Sequence, residues 1–463
     1  MSERIRILFL ATRKRAESAA YFIHCLARRI DRPIIMWICA ITYRISLDIV
    51  YIYAVSPTYA YNGLTLVPNS FKYIISVLIY FVLFYAMPKK EMDFASFFLN
   101  FQFVVTIAPM LTYYALNNQS TIYIFVVSIC VLLQNWVLCR KDQRIIKGVR
   151  LVRVQPYTAI VLAIAVVLSI SIMILNNGFA GLRAFGFEYY SLIREYQADL
   201  PPIIPYFLSW SCSAIVPFSL VYFLHMKKYC YSAICCIVQF VLYMCTGNKF
   251  AYLVLVLVLF IYFIAKLQIL IKGMYIGFSL GCLVASFCMR FIVASGVYSL
   301  ADIAAVSWFG IRFLYLPAFN KFAYYDFFSE NAFSLFSDGQ IGRMFSLTYP
   351  YQSTLGRVIA AFSLDQPLGI NQSNTGYLGE SYAQAGFIGM FLMSLLLAYL
   401  VRFVSRNENS HFFAMLVSVF AAPFVLLNDG SLLTTLLTGG MLLLIILVFI
   451  YQKSGMETEV KSL

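Results

Sequence analysis

Residues 121–153 read TIYIFVVSICVLLQNWVLCRKDQRIIKGVRLVR, and this stretch decides the fold. The first 19 residues, to Cys139, carry no charge. As a helix they rise about 28 Å, close to the thickness of a bilayer's hydrocarbon core. Six cations follow at once: Arg140, Lys141, Arg144, Lys147, Arg150 and Arg153. An apolar span closed by a dense basic run is a membrane crossing anchored on the cytoplasmic side.

The rest of the chain repeats the pattern. Hydrophobic residues make up 62% of the 463 and charged residues only 12%, with a mean hydropathy of +0.81. That excludes a cytosolic enzyme, a nucleic-acid-binding domain and a secreted protein. Runs of about 20 apolar residues predict twelve spans, near 34–55, 70–87, 94–115, 121–139, 156–175, 206–224, 231–247, 249–265, 274–293, 384–401, 411–428 and 432–451. With both termini inside, the segments 1–33, 88–93, 140–155, 225–230, 266–273, 402–410 and 452–463 are cytoplasmic. They hold 24 of the 34 Lys and Arg residues, so the net charge of +14 is mostly topology rather than a nucleic-acid partner. The expected fold is an all-α polytopic integral membrane protein. It has a basic segment 1–33, a transmembrane domain 34–451 and a tail 452–463. The basic segment, with eight cations around short apolar clusters, is either a helix on the anionic inner leaflet or a tail that orients the first span. No cysteine falls in an external segment, so no disulfide framework is expected.

Two external segments exceed a turn: 176–205 and the roughly 90 residues of 294–383, too long for a structureless connection and expected to contain short helices at or in the membrane surface. A small-residue stripe, Gly277, Gly281 and Ala285, marks a helix-packing face.

Ten cations escape the cytoplasmic count: Arg44, Lys72, Arg183, Arg194, Lys249, Arg290, Arg312, Lys321, Arg343 and Arg357. Arg44 sits about 15 Å into its span by helical rise. Asp48 follows at i+4, so a paired structural charge is expected, with a proton or substrate relay as the alternative. The other nine lie at external span ends or in the two long loops. Guanidinium groups there suit a membrane-borne phosphate, such as a lipid diphosphate; the alternative is pairing with local acids such as Asp302, Asp326, Glu330, Asp338, Asp365 or Glu380. The three histidines, His24, His225 and His411, all fall on the cytoplasmic side, so external proton transfer needs a carboxylate, a tyrosine or the backbone. Glu380 stands out, in the Gly-rich stretch 375–389 where the long loop returns to the membrane; its alternative role is an acidic complement to a helix N-terminus.

The chain resembles the Wzy-type O-antigen polymerases, the oligosaccharide repeat-unit polymerases of Gram-negative bacteria. The resemblance rests on the twelve spans with both termini inside, the two arginine-bearing external loops, the turn Thr246-Gly247-Asn248-Lys249 before an aliphatic span, and the Gly376–Gly389 segment. It implies a multispanning glycosyltransferase of the bacterial inner membrane that joins undecaprenyl-diphosphate-linked repeat units on the periplasmic face. No cofactor is expected, since the carrier diphosphate is itself the leaving group. A chain-length regulator and a flippase would be partners. Arg290, Arg312, Arg343, Arg357, Arg183, Arg194 and Lys249 would hold the diphosphate, and Glu380 would take the acceptor proton. Trp308, Tyr315, Tyr324, Tyr325, Tyr349 and Tyr351 would stack on sugars. A lipid-linked oligosaccharide flippase and an O-antigen ligase are the competing functions. The flippase would be expected to show internal repeats and short loops.

The topology is testable by cysteine labelling in a variant without reactive native cysteines. A cysteine within 294–383 reacts with an impermeant reagent from outside, and one at Lys147 only after permeabilisation. The reverse pattern overturns the orientation.

Overall fold

A computed structural model describes residues 33–140, 203–246, 250–296, 309–339, 342, 344–406 and 412–448. Outside these lie the N-terminal segment 1–32, the basic run beyond Arg140, the expected span 156–175, nearly all of loop 176–205 and the tail. Arg183, Arg194, Lys249, Trp308 and Arg343 lie outside as well.

Among the described residues the protein is all-helical. In chain order the helices are α1 (Pro33–Asn62), α2 (Ser70–Ala86), α3 (Phe94–Leu116), α4 (Thr121–Cys139), α5 (Ile204–His225), α6 (Tyr229–Thr246), α7 (Phe250–Lys266) and α8 (Leu270–Ser295). There follow α9 (309–330), α10 (Leu355–Leu364), α11 (Tyr377–Arg406), α12 (Phe413–Asp429), α13 (Leu432–Leu437) and α14 (441–448). Six of them, α1, α3, α4, α5, α8 and α11, are long and apolar enough to cross a membrane. This is a polytopic membrane protein. At its centre stands α3, buried along its whole length, as befits a helix that is apolar all round.

Proline position shapes the helices. Four of them widen into a π turn, and each time a proline follows: Tyr51–Val55 before Pro57, Phe103–Ile107 before Pro109, Ser211–Ile215 before Pro217, and Phe309–Tyr315 before Pro317. Proline lacks an N–H, and its ring clashes with the carbonyl four residues earlier; a wider turn relieves the clash and leaves carbonyls unpaired. In lipid those carbonyls must find donors within the protein. Two do so at one residue. The Asn428 Nδ2 amide donates to Val105 O at 3.4 Å and to Phe313 O at 3.2 Å, four residues before Pro109 and Pro317. Buried tyrosines supply more donors: Tyr43 to Val104 O, Tyr80 to Ala40 O and Tyr315 to Leu47 O, at 2.6, 2.8 and 2.8 Å. Much of the high tyrosine content is therefore interhelical glue.

The structure corrects one expectation about the spans and refines two others. Residues 432–451 are not one continuous span, because the chain breaks between α13 and α14. Gly440 adopts φ +77°, and the Thr438, Leu437 and Gly439 carbonyls accept from Ser209, Trp210 and Ser213 of α5. Helix α11 is likewise two helices. Ala385 and Gly386 leave helical geometry, with Gly386 at φ +61°. A Cβ on Gly389 would fall 2.2 Å from Ser381 O, although eight residues of continuous helix span about 12 Å. The chain therefore folds back on itself, a short half-helix 377–384 (α11a) packed against a long one, 387–406 (α11b). Lastly, 294–383 is not wholly an external loop. Within it α9 enters the core, its Tyr315 ring 4.8 Å from Tyr51 and its Phe309 against Gly281 of α8. The small-residue stripe of α8 is the packing face expected: Gly277 receives Phe260 and Gly281 receives Phe309.

The Arg44 charge is paired. Its guanidinium donates to Thr112 Oγ1 of α3 and to Ser76 Oγ of α2 (3.0 Å) and lies 3.4 Å from Asp48, which accepts from Tyr73 OH at 2.7 Å. Three helices are tied by one ion pair. Removing one member strands the other charge, so Arg44→Ala is expected to cost about 3–5 kcal/mol, and Arg44→Met with Asp48→Leu clearly less. Thermal unfolding in detergent measures both; a double variant as unstable as the single one excludes a structural pair.

Candidate functional site

The carboxylate singled out by sequence is built into a hub. Half-helix α11a puts Glu380 and Gln384 one turn apart on the same face. The Gln384 amide uses all four of its hydrogen-bonding positions. Its Nε2 donates to Glu380 Oε1 at 2.8 Å and to Asp338 Oδ1 at 3.2 Å, while its Oε1 accepts from Ser334 Oγ at 2.6 Å and from Phe336 N at 2.5 Å. One amide thus holds two carboxylates side by side and anchors the loop that follows α9. That loop bends sharply: Leu335 and Phe336 both take positive φ, 50° and 61°. Asp338 is exposed and Glu380 mostly buried.

The lower end of α11a is pinned from two sides. Tyr377 OH accepts from Gln102 of α3 and from Gln134 of α4, the latter at 3.0 Å. Just before it, Gly376 lies against the end of α12, where a Cβ would fall 2.5 Å from the Asn428 and Leu427 carbonyl oxygens. Only glycine permits that approach. The carbonyl end of α12 meets the N–H end of α11a, a favourable juxtaposition of helix dipoles.

A second group of charges adjoins. Lys321 of α9 has no exposed surface; its Nζ donates to Asn428 O (2.7 Å), Asn428 Oδ1 (2.9 Å) and Pro317 O (3.1 Å). Asp429, the next residue of α12, lies within electrostatic reach of both Lys321 and Arg312. Arg312 and Asp429 are exposed. Tyr324, also on α9, lies between the two groups, within electrostatic reach of Glu380, Asp338 and, more weakly, Asp429.

The expected cations separate. Arg312 joins this neighbourhood. Arg290 lies with its Cζ 4.6 Å from the Tyr53 ring centroid, a cation–π contact at the end of α1. Arg357 is exposed in the first turn of α10. Among the described residues, Arg290, Arg312, Lys321 and Arg357 make no ion pair within 4 Å; those found are Arg44–Asp48 and Lys272–Glu91. Asp429 is the described acid within electrostatic reach of Arg312 and Lys321, without a contact ion pair to either. The aromatic set also divides. Tyr315 and Tyr324 are buried and donate to Leu47 O and Ser373 O, so they are core rather than sugar platforms. Tyr349 and Tyr351 are partly exposed, whereas Tyr325 is stacked on Tyr123 with ring centroids 4.8 Å apart. Sequence reasoning missed Gln384, Asn428 and Asp429 as site residues, and left Lys321 unassigned. The i+4 spacing of Glu380 and Gln384 and the polar Asn428-Asp429 pair ending an apolar run were the available signals.

No family model matches the chain, and no curated protein or solved structure does.

The hub is testable at Gln384. Gln384→Ala leaves its partners without their shared donor and acceptor, an expected loss of about 1–3 kcal/mol. Gln384→Glu puts a third carboxylate between the other two, so it is expected to be the less stable variant at neutral pH and to regain stability as pH falls and the acids protonate. Identical melting of the two variants across pH rules out the bridge.

Proposed function

We propose that this protein is a polysaccharide polymerase of the O-antigen type, joining polyprenyl-diphosphate-linked oligosaccharide repeat units at the outer face of a bacterial inner membrane. The observation that carries the reading is the carboxylate hub Glu380–Gln384–Asp338 beside the inserted helix α9, the helix that also carries the exposed Arg312, which makes no contact ion pair among the described residues. Glycosyl transfer from a lipid diphosphate needs those two functions: a base for the acceptor hydroxyl and a cation for the departing phosphate.

In this reading the chain crosses the membrane twelve times with both termini in the cytoplasm, and α9 and α11a dip in from outside. Glu380 takes the proton from the acceptor sugar hydroxyl as its oxygen bonds to the anomeric carbon of the donor. The bond from that carbon to the phosphate oxygen breaks, and its electron pair leaves with the diphosphate, whose charge Arg312 stabilises. Gln384 orients Glu380 through the 2.8 Å hydrogen bond, and Asp338 is the second carboxylate within the same hub. Tyr349 and Tyr351 offer surface for sugar rings. Arg290 and Arg357 act further out, on headgroup or glycan.

Deleting the gene from its host tests the reading. The lipopolysaccharide is expected to show core plus a single repeat unit, and complementation to restore the ladder. A bare core would point to flipping or ligation instead. Purified Glu380→Gln, assayed on lipid-linked repeat units, is expected to lose about 10²–10⁴ in rate. Arg312→Ala should abolish long chains, with Arg312→Lys recovering part, because an ammonium keeps the charge but not the bidentate geometry. Near-wild-type turnover by Glu380→Gln removes it as the base.

A further inference from the structure

Lys321 is an intramembrane cation that the proposed chemistry does not use. Ionisable groups in such surroundings are expensive and are kept for a reason. Its three acceptors are all oxygens of neutral groups, and two of them belong to Asn428. The same Asn428 is bound on its other side by Val105 O of α3 and Phe313 O of α9, and its carbonyl presses on Gly376, the residue from which α11a starts. Four residues beyond Gly376 is Glu380, whose N–H bonds Gly376 O at 3.0 Å. A continuous path of contacts therefore runs from the Lys321 ammonium through Asn428 and Gly376 to the half-helix that carries the carboxylate hub. Lys321 also sits at the carbonyl end of α12, where a positive charge offsets the helix dipole. Its own helix holds Arg312 nine residues earlier, just over two turns away.

We infer that Lys321 is a positioning residue: by clamping Asn428 it fixes the seat of α11a at Gly376, and so sets where Glu380 stands relative to Arg312. The ammonium does not touch the substrate. It holds together the helix that bears the cation and the half-helix that bears the base. The inference rests on Glu380 being the reacting carboxylate, but the seat itself can be read without any catalysis.

Two substitutions attack the joint by different means. Lys321→Met removes the charge and three hydrogen bonds at similar volume. Gly376→Ala leaves every charge in place and forces a methyl against the Asn428 and Leu427 carbonyls. The reporter is Glu380→Cys in a background without reactive native cysteines, modified from outside by a charged methanethiosulfonate. A control cysteine replaces Phe71, exposed on α2 and distant in sequence from the joint. Both joint variants are expected to raise the modification rate at position 380 severalfold and leave the control rate unchanged, while Lys321→Arg stays near the parent. An unchanged rate at 380 in both variants, or equal acceleration at both cysteines, overturns the inference. With Glu380 intact, a displaced base costs kcat about 10²-fold at little change in KM. A loss confined to KM places Lys321 on the substrate and overturns the positioning role. If the parent protein forms no polymer at all, the functional reading fails while the labelling result still decides the seat.

Discussion

The side-chain amide of Asn428 carries the burden that lipid imposes on broken helices. A helix interrupted by proline exposes carbonyls that water would satisfy in a soluble protein; in a bilayer the protein must supply the donors. Asn428 serves the carbonyls released before Pro109 and Pro317, on two different helices, and offers both of its oxygens to Lys321. Without it, the central helix α3, the inserted helix α9 and the end of α12 would each retain an unmet polar group. Each such group costs several kcal/mol in an apolar setting, so the three elements hold one arrangement.

The same economy explains why the site sits where it does. Breaks in the bundle occur at α9, at Ala385–Gly386 and between α13 and α14, and each is met by polar groups from a neighbour. Irregular backbone at such depth is tolerated where protein surrounds it, and it gives polar side chains a place away from lipid. Glu380, Gln384 and Arg312 all belong to these interrupted elements. The unbroken helices α4 and α8 show long lipid-facing rows instead, Phe125 and Ile129 on one, Leu280, Val284, Phe287 and Phe291 on the other.

Charges divide by whether a partner is built in. Arg44 is enclosed by Asp48, Ser76 and Thr112. Glu91 accepts from Ile271 N at 2.5 Å and lies 3.7 Å from Lys272, capping the start of α8, while Lys89 closes α2 by donating to the Phe84 and Met87 carbonyls. Those are structural. Arg312, exposed and without a contact ion pair among the described residues, is of the other kind, and that contrast gives the functional reading its weight.

Part of what the described residues encode locally was readable from the chain alone. Apolar run length gives the spans, because a helix must reach across about 30 Å of hydrocarbon. The i+4 spacing of Arg44 and Asp48 predicts their pairing. Glu380 was legible as a carboxylate in a Gly-rich stretch. Its partners were not: Asp338 lies 46 residues from Gln384, and Asn428 reaches Val105 across 323 residues of sequence. Residues 432–451 look like one span, since hydropathy records how apolar a segment is but not the sign of φ at Gly440. Aromatic α9 looks like loop because its polar residues lower its hydropathy, and only the tertiary structure shows that each of Asn320, Lys321 and Tyr324 has a hydrogen-bond partner waiting. Composition can state that a segment tolerates lipid. Whether a polar segment can be buried depends on donors and acceptors contributed from elsewhere in the chain, and those meet only once the helices have packed.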